Sequence, residues 1–586
     1  MLNKILPSMI KYFSRYFICI KSTVLIILMF VVSTSNAQQN SKTDNLNIEV
    51  RGLVRDVHTK EPLNAVQINV VNKKSSAVSD ENGNFSIYVS SLADVLRLSV
   101  YDYNPLEVPL KGRDTITVDL YTDHFAAYFK NIEGGFGAVP NSLLSYSHKE
   151  IDVSEHLIAL SPDEMLYSLG GDVRTMSKSG LWGMGSTSFI RGINSLNANA
   201  QPLFVVDGVI WNNFYDAESV HNNCFSNILT SIDANDIESI TVLKDGLALY
   251  GSKGANGVIL IKTKRGASMV TKIDLNIFTG FKMTPSGFPM MNGNQFRIYA
   301  SELLKSQGIA PNDVTKFDFL ETDPENKMIY NMYHNNTNWE NEIYQTGFTQ
   351  NYNISVSGGD EKALYYFSLG YAGNEDVVKT IDFSRLNARF NADVNMTDNF
   401  SVGLNVAYTQ VDRTMIDDGI SPFSVSWISK IKSPFLSPYS YTDTGEKSLD
   451  YAYVDSFSVA NPSAILEFDE VNGNSARRFN LGVNPVYRIS PELSVSTLFD
   501  YSLYKMSERR FIPMYYTPLI YIPKYKGYSE NEINSQVIRN IAFFDDTRIS
   551  YTKSFNDEHN IKGILGWRYV SNFYESDYIR RHNTGL

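Results

Sequence analysis

The sequence contains very little cysteine and no recognisable metal-binding pattern. Its two cysteines are Cys19 and Cys224, and Cys19 lies in an N-terminal leader that we expect to be removed, so the mature chain forms no internal disulfide. No CxxC or HExxH pattern occurs, and no paired ligand spacing is found among the eight histidines, at positions 58, 124, 148, 156, 221, 334, 559 and 582. These absences exclude a disulfide-stapled fold, and we expect neither a metal nor a cofactor.

Excess positive charge and long hydrophobic runs are also missing. The formal net charge is −11, and residues 1–37 hold four basic residues and no acid, so the remainder carries 48 basic and 63 acidic residues, or −15. Such a balance disfavours binding to nucleic acid. No apolar run reaches the roughly 20 residues that a membrane-spanning helix needs. A 13% aromatic content over 586 residues instead indicates several packed units.

The N-terminus has the pattern of a secretory signal peptide. A basic segment ends at Lys21, an apolar core occupies 24–32, and small residues lead to Ala37. We therefore predict a signal peptide over 1–37, cleaved before Gln38. The alternative is an N-terminal membrane anchor, which the short apolar core disfavours.

Short strands at even spacing follow the leader. Alternating apolar and polar residues predict strands at 48–54, 65–71, 85–89, 96–100 and 116–120, which together indicate a small β-sandwich. Residues Asp80 to Asn84 separate two of them. Their sequence lacks the alternating ligands and closing glutamate of a calcium loop, so we interpret it as a turn.

Three buried strands are predicted between Phe189 and Gly266. Apolar runs at 203–206, 237–243 and 258–261 each end in turn residues, the first at Asp207-Gly208 and the second at Lys244-Asp245-Gly246. Glycines 251, 254 and 257 permit tight corners. Upstream, Pro162 with acids in the next two positions predicts the start of a helix.

After Gly266 the hydrophobic pattern has a period of two. We predict nine strands, near 271–283, 345–357, 362–373, 383–395, 399–412, 475–489, 492–505, 539–553 and 559–573. Their connections alternate between short and long, as in transmembrane barrels with short periplasmic turns and long outer loops. A soluble sandwich alternates as well, so the period alone leaves both open. Because closed bacterial barrels have even strand numbers, nine strands lead us to expect a fragment or a truncated product.

Nothing in the sequence indicates an enzyme. There is no nucleophile elbow, and Gly251-Ser252-Lys253-Gly254 lacks the GxxxxGK[ST] pattern of a phosphate loop. Aromatic residues in the long connections could bind ligand or could belong to the interface girdle of a barrel; they are Tyr330, Tyr333, Trp339, Trp427, Tyr439, Tyr441, Tyr451, Tyr453, Tyr515, Tyr516, Tyr521 and Tyr525.

Four motifs in a fixed order resemble the plug domain of the SusC/RagA family of TonB-dependent outer-membrane proteins. The family's IRG..SLN corresponds to 190–197, PL.VVDGV to 202–209, DIESI.VLKD to 236–245, and YG..GANGVI.I.TK.G to 250–266. The plug signature residues on these motifs are Arg191, Gly192, Asp207, Gly208, Lys244, Asp245, Gly251, Gly254, Asn256 and Gly257.

The resemblance implies a mainly β architecture in five parts. These are the signal peptide (1–37), a carboxypeptidase-regulatory-like β-sandwich (47–120), a linker or possible TonB-contact segment (121–145), an α/β plug (146–268) and an incomplete antiparallel transmembrane β-barrel (269–586). Arg191 and Asp207 are candidate anchors of the plug against the barrel wall, with salt bridges inside the plug as the alternative.

The resemblance also implies a function. A SusC-like channel in the cell outer membrane pairs with a SusD-like surface lipoprotein and imports oligosaccharides or peptides, driven by the TonB-ExbB-ExbD complex. The plug and the N-terminal domain then lie on the periplasmic side, and outer-membrane lipid surrounds the barrel. The alternatives are a TonB-dependent signalling receptor and a soluble carbohydrate-binding β-protein.

Overall fold

A computed structural model describes residues 48–583, apart from 58, 72, 74, 101–102, 104–105, 121–130, 135–136, 141–147, 152, 154–157, 178, 198, 212–218, 225–226, 267–270, 285, 361, 398, 469–470, 491, 525 and 556–558. The predicted signal peptide and the beginning of the predicted linker lie outside the described residues. The chain divides into two compact units, Met1–Ala126 and Ala127–Leu586.

The described residues of the first unit form seven strands in two sheets. The strands are β1 (Ile48–Asp56), β2 (Gln67–Val70), β3 (Ser76–Val78), β4 (Asn84–Val89), β5 (Val95–Ser99), β6 (Leu106–Pro109) and β7 (Thr115–Leu120). One sheet has the order β4-β1-β7 and the other β3-β2-β5-β6. All five predicted strands are confirmed. The sequence prediction missed β3 and β6, which are only three and four residues long.

These strands form because every second side chain along them is buried in the core between the two sheets. Phe85, Ile87 and Val89 of β4 are buried, while the residues between them are exposed. The predicted turn at Asp80 is also confirmed, since its Oδ1 accepts hydrogen bonds from the backbone N–H of Asn82 at 2.9 Å and of Asn84 at 2.8 Å.

The second unit begins with short strands and helical turns. The strands are β8 (Asn131–Gly134), β9 (Gly137–Pro140), β10 (His148–Ile151), β11 (Val173–Ser177), β12 (Ser186–Ile190), β13 (Leu203–Val206), β14 (Val209–Trp211), β15 (Ile237–Leu243) and β16 (Val258–Thr263). The helices are α1 (Pro162–Leu166) and α2 (Leu247–Tyr250), with 3-10 turns at Tyr167–Leu169, Ile228–Ser231, Ala234–Asp236 and Gly251–Gly254.

Five of these strands form one sheet, in the order β10-β15-β16-β13-β14. The three predicted strands at its centre are confirmed, and the helix predicted from Pro162 is α1. Apolar side chains of β13, β15 and β16 lie in one buried cluster with those of α1. Burial on both faces accounts for their continuous apolar sequences.

Thirteen strands follow in the part of the chain after β16 that the structure describes. They are β17 (Lys272–Lys282), β18 (Gly347–Gly359), β19 (Ala363–Glu375), β20 (Asp382–Thr397), β21 (Phe400–Thr414), β22 (Tyr439–Tyr441), β23 (Lys447–Tyr451), β24 (Gly473–Arg488), β25 (Leu493–Ile512), β26 (Ile520–Ile522), β27 (Gly527–Ser529), β28 (Glu532–Phe555) and β29 (His559–His582). Two short ribbons, β22-β23 and β26-β27, lie in the connections.

The remaining nine strands form one antiparallel sheet in sequence order, from β17 to β29. Each of the nine predicted strands corresponds to one of them. β17 and β29 are the edges, and within the described part of the chain each pairs with one neighbour only.

The long connections contain helices that the sequence prediction missed. These are α3 (Gly293–Ser306), α4 (Pro311–Val314), α5 (Lys327–Tyr333), α6 (Trp339–Ile343), α7 (Val425–Ile431) and α8 (Pro462–Leu466), with a 3-10 turn at Asp318–Leu320. No helix among the described residues combines the length and apolarity needed to cross a membrane.

Several aromatic residues of these connections pack against one another. Trp339 is buried, and its Nε1 donates a hydrogen bond to the carbonyl oxygen of Ser433 at 3.0 Å. The rings of Tyr439 and Tyr451 stack with centroids 5.3 Å apart. These three side chains therefore have structural partners inside the connections, a role that the sequence interpretation did not consider.

Candidate functional site at the contact between plug and sheet

Asp207 and Gly208 form the two-residue turn between β13 and β14. Both have positive φ, of 50° and 84°, as a type I′ hairpin turn requires. The two carboxylate oxygens of Asp207 accept hydrogen bonds from the backbone N–H and the hydroxyl of Thr263, each at 2.8 Å. One of them also lies 3.8 Å from Nη1 of Arg389 on β20. Asp207 thus holds its own turn against β16 and also reaches the nine-stranded sheet.

Arg191 does not anchor the predicted plug to the nine-stranded sheet. Its guanidinium donates two hydrogen bonds, at 2.6 and 2.9 Å, to the carboxylate of Asp245. Both side chains are more than half exposed. The bidentate hydrogen bonds from Arg191 lower the pKa of Asp245 below its ordinary value. Among the described residues, Arg191 therefore forms a salt bridge within the predicted plug, which is the alternative that the sequence analysis left open.

Two more polar signature residues also bind within the predicted plug. The ammonium group of Lys244 pairs with Asp172. The side-chain amide of Asn256 donates a hydrogen bond to the backbone carbonyl oxygen of Asn199 at 2.7 Å. These contacts join loops of the plug to one another.

Two signature glycines are required by close approach. A Cβ on Gly254 would lie 2.6 Å from the carbonyl oxygen of Gly246, which no side chain could tolerate. Gly257 has a φ of 85°, and a Cβ there would meet the side chain of Ile190 at 2.7 Å. Gly251 and Gly192 also have positive φ, of 61° and 95°. The glycine motif therefore specifies the backbone path of the plug.

A buried ionic cluster joins the 3-10 turn at Ala234–Asp236 to β20. Nε of Arg389 lies 3.4 Å from Oδ2 of Asp236, and Nη2 of Arg385 lies 3.5 Å from Oδ2 of Asp233. The hydroxyl of Tyr366 on β19 donates a hydrogen bond to Asp236 at 3.1 Å. Burial raises the pKa of Asp236 above its ordinary value, and the charge of Arg389 acts in the opposite direction.

A second contact involves the 219–224 segment of the plug. Glu508 of β25 accepts hydrogen bonds on Oε1 from the backbone N–H of Val220 at 3.0 Å and of His221 at 3.3 Å. Nδ1 of His221 lies 2.8 Å from the same oxygen, and the hydroxyl of Ser219 donates to it as well. One carboxylate of the sheet thus binds three consecutive residues of the plug.

Asp417 holds the next residue of the same segment. Its carboxylate accepts hydrogen bonds from the backbone N–H and side-chain amide of Asn222, at 3.0 and 2.9 Å. It also accepts two from Arg510 of β25, at 2.7 and 2.6 Å. Nearby, the thiol of Cys224 is buried against the carbonyl oxygen of Ile416, and burial raises its pKa.

A third contact lies where the chain leaves β16. Nε and Nη2 of Arg265 donate hydrogen bonds to the two carboxylate oxygens of Asp393 on β20, each at 2.7 Å. Nη2 also donates to the carbonyl oxygen of Ala392. These three sets of charged side chains are among the contacts that join the plug to the nine-stranded sheet and its connections.

Comparisons with known proteins agree with this geometry. A family model described as the TonB-dependent Receptor Plug Domain matches residues 140–258. The chain is 27% identical over 475 residues to the TonB-dependent receptor SusC of Bacteroides thetaiotaomicron, covering 76% of this chain and 43% of that protein. It is 26% identical over 579 residues to the TonB-dependent receptor P39 of Formosa agariphila, covering 96% of this chain and 50% of that protein.

The fold also resembles that of a solved transporter. A structure of the RagAB peptide importer in the closed-closed state superposes with a TM-score of 0.56 at 20% identity, covering 75% of this chain and 48% of that chain. Together these matches support a SusC/RagA-type TonB-dependent receptor. This receptor chain spans about half the length of the relatives that it matches.

Sequence reasoning missed residues on both sides of the contact between the plug and the nine-stranded sheet. Asp236 is part of the family motif but was not singled out, and neither Glu508 nor Asp417 carried any local signal. The sequence indicated this contact on β20, where Arg385 and Arg389 occupy the polar positions of an alternating strand. That alternation predicted an inward polar face, and the structure identifies its partners.

Proposed function

We propose that this chain is the plug-bearing part of an active importer of the cell outer membrane. In this proposal, residues 269–586 belong to a transmembrane β-barrel, and the plug (146–268) closes its lumen. The plug and the carboxypeptidase-regulatory-like unit (47–120) lie on the periplasmic side, and the signal peptide (1–37) directs export. The linker (121–145) is the candidate contact for TonB.

The inverted burial of β20 carries the proposal. Arg385, Asn387, Arg389 and Asn391 are 0–7% exposed on the face toward the plug, while Leu386 is 44% and Phe390 37% exposed on the other. A protein folded in water buries the apolar side chains of a strand, whereas a barrel in lipid with a polar interior does the reverse. The alternative of a soluble carbohydrate-binding protein does not account for this inversion.

The energy source and partners follow from the family. We propose that TonB, with ExbB and ExbD, acts on the plug, and that a SusD-like lipoprotein covers the outer opening. An oligosaccharide or a peptide is the proposed cargo. The second candidate, a TonB-dependent signalling receptor, is less well supported because the described part of 48–120 consists of strands in two sheets, as a regulatory-like sandwich would.

Disruption of the gene in its source bacterium tests the proposal. We expect growth to be lost on one class of oligomeric nutrient while growth on the corresponding monomers is retained, and inactivation of TonB should give the same loss. Complementation should restore growth, and the protein should be recovered in the outer-membrane fraction. Unimpaired growth on all glycan and peptide pools, in a strain that normally produces the protein, would contradict transport.

A further inference from the structure

Three cations lie side by side on one face of the nine-stranded sheet. Arg477 of β24 is the cross-strand partner of Lys505 on β25, and Lys505 is also the partner of Arg539 on β28. All three side chains are exposed. Residues directly opposite one another on adjacent strands have Cβ atoms about 4.5–5.5 Å apart, so like charges there destabilise a sheet. The row therefore costs stability unless a negative charge lies over it.

The orientation of this row follows from its neighbours in sequence. Cζ of Arg478 lies 4.4 Å from the ring centroid of Trp211 in the plug and 5.0 Å from that of Tyr504 on β25. Successive side chains of a strand point to opposite faces. Arg477 and Lys505 therefore point away from the plug, toward the face that the proposed barrel would present to lipid.

Carboxylates of the described residues neutralise only one member of the row. Arg539 forms an ion pair with Glu575 of β29, in which Nη1 lies 2.9 Å from Oε2. Within the same described residues, the side chains of Arg477 and Lys505 form no ion pair and no hydrogen bond. On the other side of the row, Asp412 of β21 accepts hydrogen bonds from two neutral side chains instead. Two adjacent cations are thus available to an anion from outside.

The row lies at the edge of the apolar band of the sheet. Two residues further along each strand, away from the long connections, the cross-strand row is apolar and consists of Phe479, Leu503, Ile541 and Phe573. Two residues in the other direction, the row consists of Ser475, Ser507, Val537 and Asp577. This change from apolar to polar side chains indicates the outer interface of the proposed membrane span, where lipid headgroups lie.

We propose that Arg477, Lys505 and Arg539 form a binding site for the phosphate group of an anionic lipid in the outer leaflet of the outer membrane. An arginine guanidinium can donate two parallel hydrogen bonds to phosphate oxygens, and the lysine ammonium adds a point charge between the two arginines. The acyl chains would pack against Phe479 and Leu503. The inference rests on the proposed function, because the nine-stranded sheet must lie in the outer membrane.

Two features favour a lipid over a free phosphate ion or an acidic protein. The first is the exposed apolar row directly beside the cations, in which Leu503 is 39% and Phe573 61% exposed. Acyl chains would cover this row, whereas neither a free ion nor a water-soluble protein would do so at the level of the membrane. The second is position, since β24, β25 and β28 each pair with a strand on both sides and the row is not part of an open edge.

Native mass spectrometry of the intact receptor tests the site. The receptor would be purified from outer membranes, freed of lipid in detergent, and mixed with phosphorylated lipid A or with its dephosphorylated form. We expect adducts with the phosphorylated lipid only. These adducts should persist in an excess of inorganic phosphate, because a free ion lacks the acyl chains that contribute to binding.

Two variants should change the affinity in opposite directions. The double variant Arg477→Gln/Lys505→Gln removes both unpaired cations and should weaken binding of phosphorylated lipid A at least tenfold. Glu575→Gln removes the carboxylate that competes with phosphate for Arg539 and should strengthen it. A general folding defect would not produce a gain in affinity.

A third variant, Lys505→Glu, separates lipid binding from folding. The new carboxylate would lie between Arg477 and Arg539 and would relieve the repulsion in the row. We therefore expect the melting temperature in lipid-free detergent to stay the same or to rise, while binding of phosphorylated lipid A is lost.

Several results would overturn the site: no binding of phosphorylated lipid A, equal binding of its dephosphorylated form, or full affinity in the double variant. Displacement of the lipid by inorganic phosphate would assign the row to a free ion, and co-purification of an acidic protein that Lys505→Glu loses would assign it to a protein. Any of these results, with the receptor in the outer membrane and TonB-dependent uptake intact, would leave the proposed function standing. Absence of the receptor from the outer-membrane fraction would remove the proposed function and the lipid site with it.

Discussion

Two arginine–aspartate pairs of this receptor have the same chemistry and opposite surroundings. Arg191 and Asp245 lie within the plug and are 57% and 51% exposed, with an Nη1–Oδ1 distance of 2.6 Å. Arg389 and Asp236 join the sheet to the plug and are 7% and 2% exposed, with an Nε–Oδ2 distance of 3.4 Å. The pair with the better hydrogen-bond geometry is the one in water.

The difference teaches that burial, rather than hydrogen-bond length, decides how much stability is lost when an ion pair is broken. Water already solvates the exposed pair, so little is lost when it is broken. The buried pair has given up that solvation, and either partner left alone would be an uncompensated charge in the interior. The family motif emphasises the first pair, whereas attachment of the plug to the sheet depends on the second.

The largest effect is expected for Arg389→Ala. Removal of one partner from a buried ion pair costs about 3–5 kcal/mol. Amide hydrogen exchange of β15, which begins next to Asp236, should accelerate by roughly a hundredfold or more. As a control, the double variant Arg389→Met/Asp236→Leu removes both charges and should recover much of the protection.

The same variant has a predictable pH dependence. Burial already raises the pKa of Asp236 in the folded protein, and loss of Arg389 removes the charge that opposed this shift. The folded variant then binds a proton more readily than the unfolded chain, so its stability rises as the pH falls. Equal protection factors of β15 at pH 5 and pH 8, taken relative to the intrinsic exchange rate of an unfolded chain at each pH, would contradict this account.

A smaller effect is expected for Glu508→Leu at the second contact. The change leaves three consecutive plug residues without their acceptor, so the 219–224 segment should leave the sheet more often. Cys224 reports on this motion, because its thiol is buried in the resting structure. We expect the rate of maleimide labelling of Cys224 to rise at least tenfold.

The matched control for this experiment is Glu575→Gln. Glu575 forms an ion pair with Arg539 on the outer surface of the sheet, and both side chains are exposed. Its replacement should leave the labelling rate unchanged. If Glu508→Leu behaved like Glu575→Gln, the contact of Glu508 with the segment would not hold the plug.

The smallest effect is expected for Arg191→Ala. Although the residue belongs to the plug signature, its partner Asp245 is hydrated and would remain so. Exchange of β15 should match that of the unmodified receptor. If amide exchange of β15 accelerated as much as in Arg389→Ala, exposed and buried pairs would contribute equally to stability. The contrast drawn here between the Arg191–Asp245 and Arg389–Asp236 pairs would then be wrong.

The sequence predicted the strands well and the contacts poorly, for a physical reason. A period of two marks the nine strands of the large sheet, and continuous apolar runs that end in turn residues mark the three central strands of the plug, so both sets could be placed from local sequence. β25 and β28 extend beyond their predicted bounds, to Ile512 and from Glu532. The helices between β17 and β18 were missed, since the segment was interpreted as a loop.

The candidate site depends on distant pairs. Asp236 and Arg389 are 153 residues apart, and Glu508 is 287 residues from His221. Which of the inward polar residues meets which plug residue depends on the stagger of the sheet, which no local pattern specifies. The turn at Asp207-Gly208 was predictable because its requirement for positive φ is local.

Among the described residues, no strand of the plug is hydrogen-bonded into the nine-stranded sheet. Side chains and loops make the attachment, at a few separate places. Under a mechanical load such an attachment gives way in steps, one contact after another, instead of shearing as a single ladder. Each step then needs only a modest force, and a plug partly released at one place is still tethered at the others and can return.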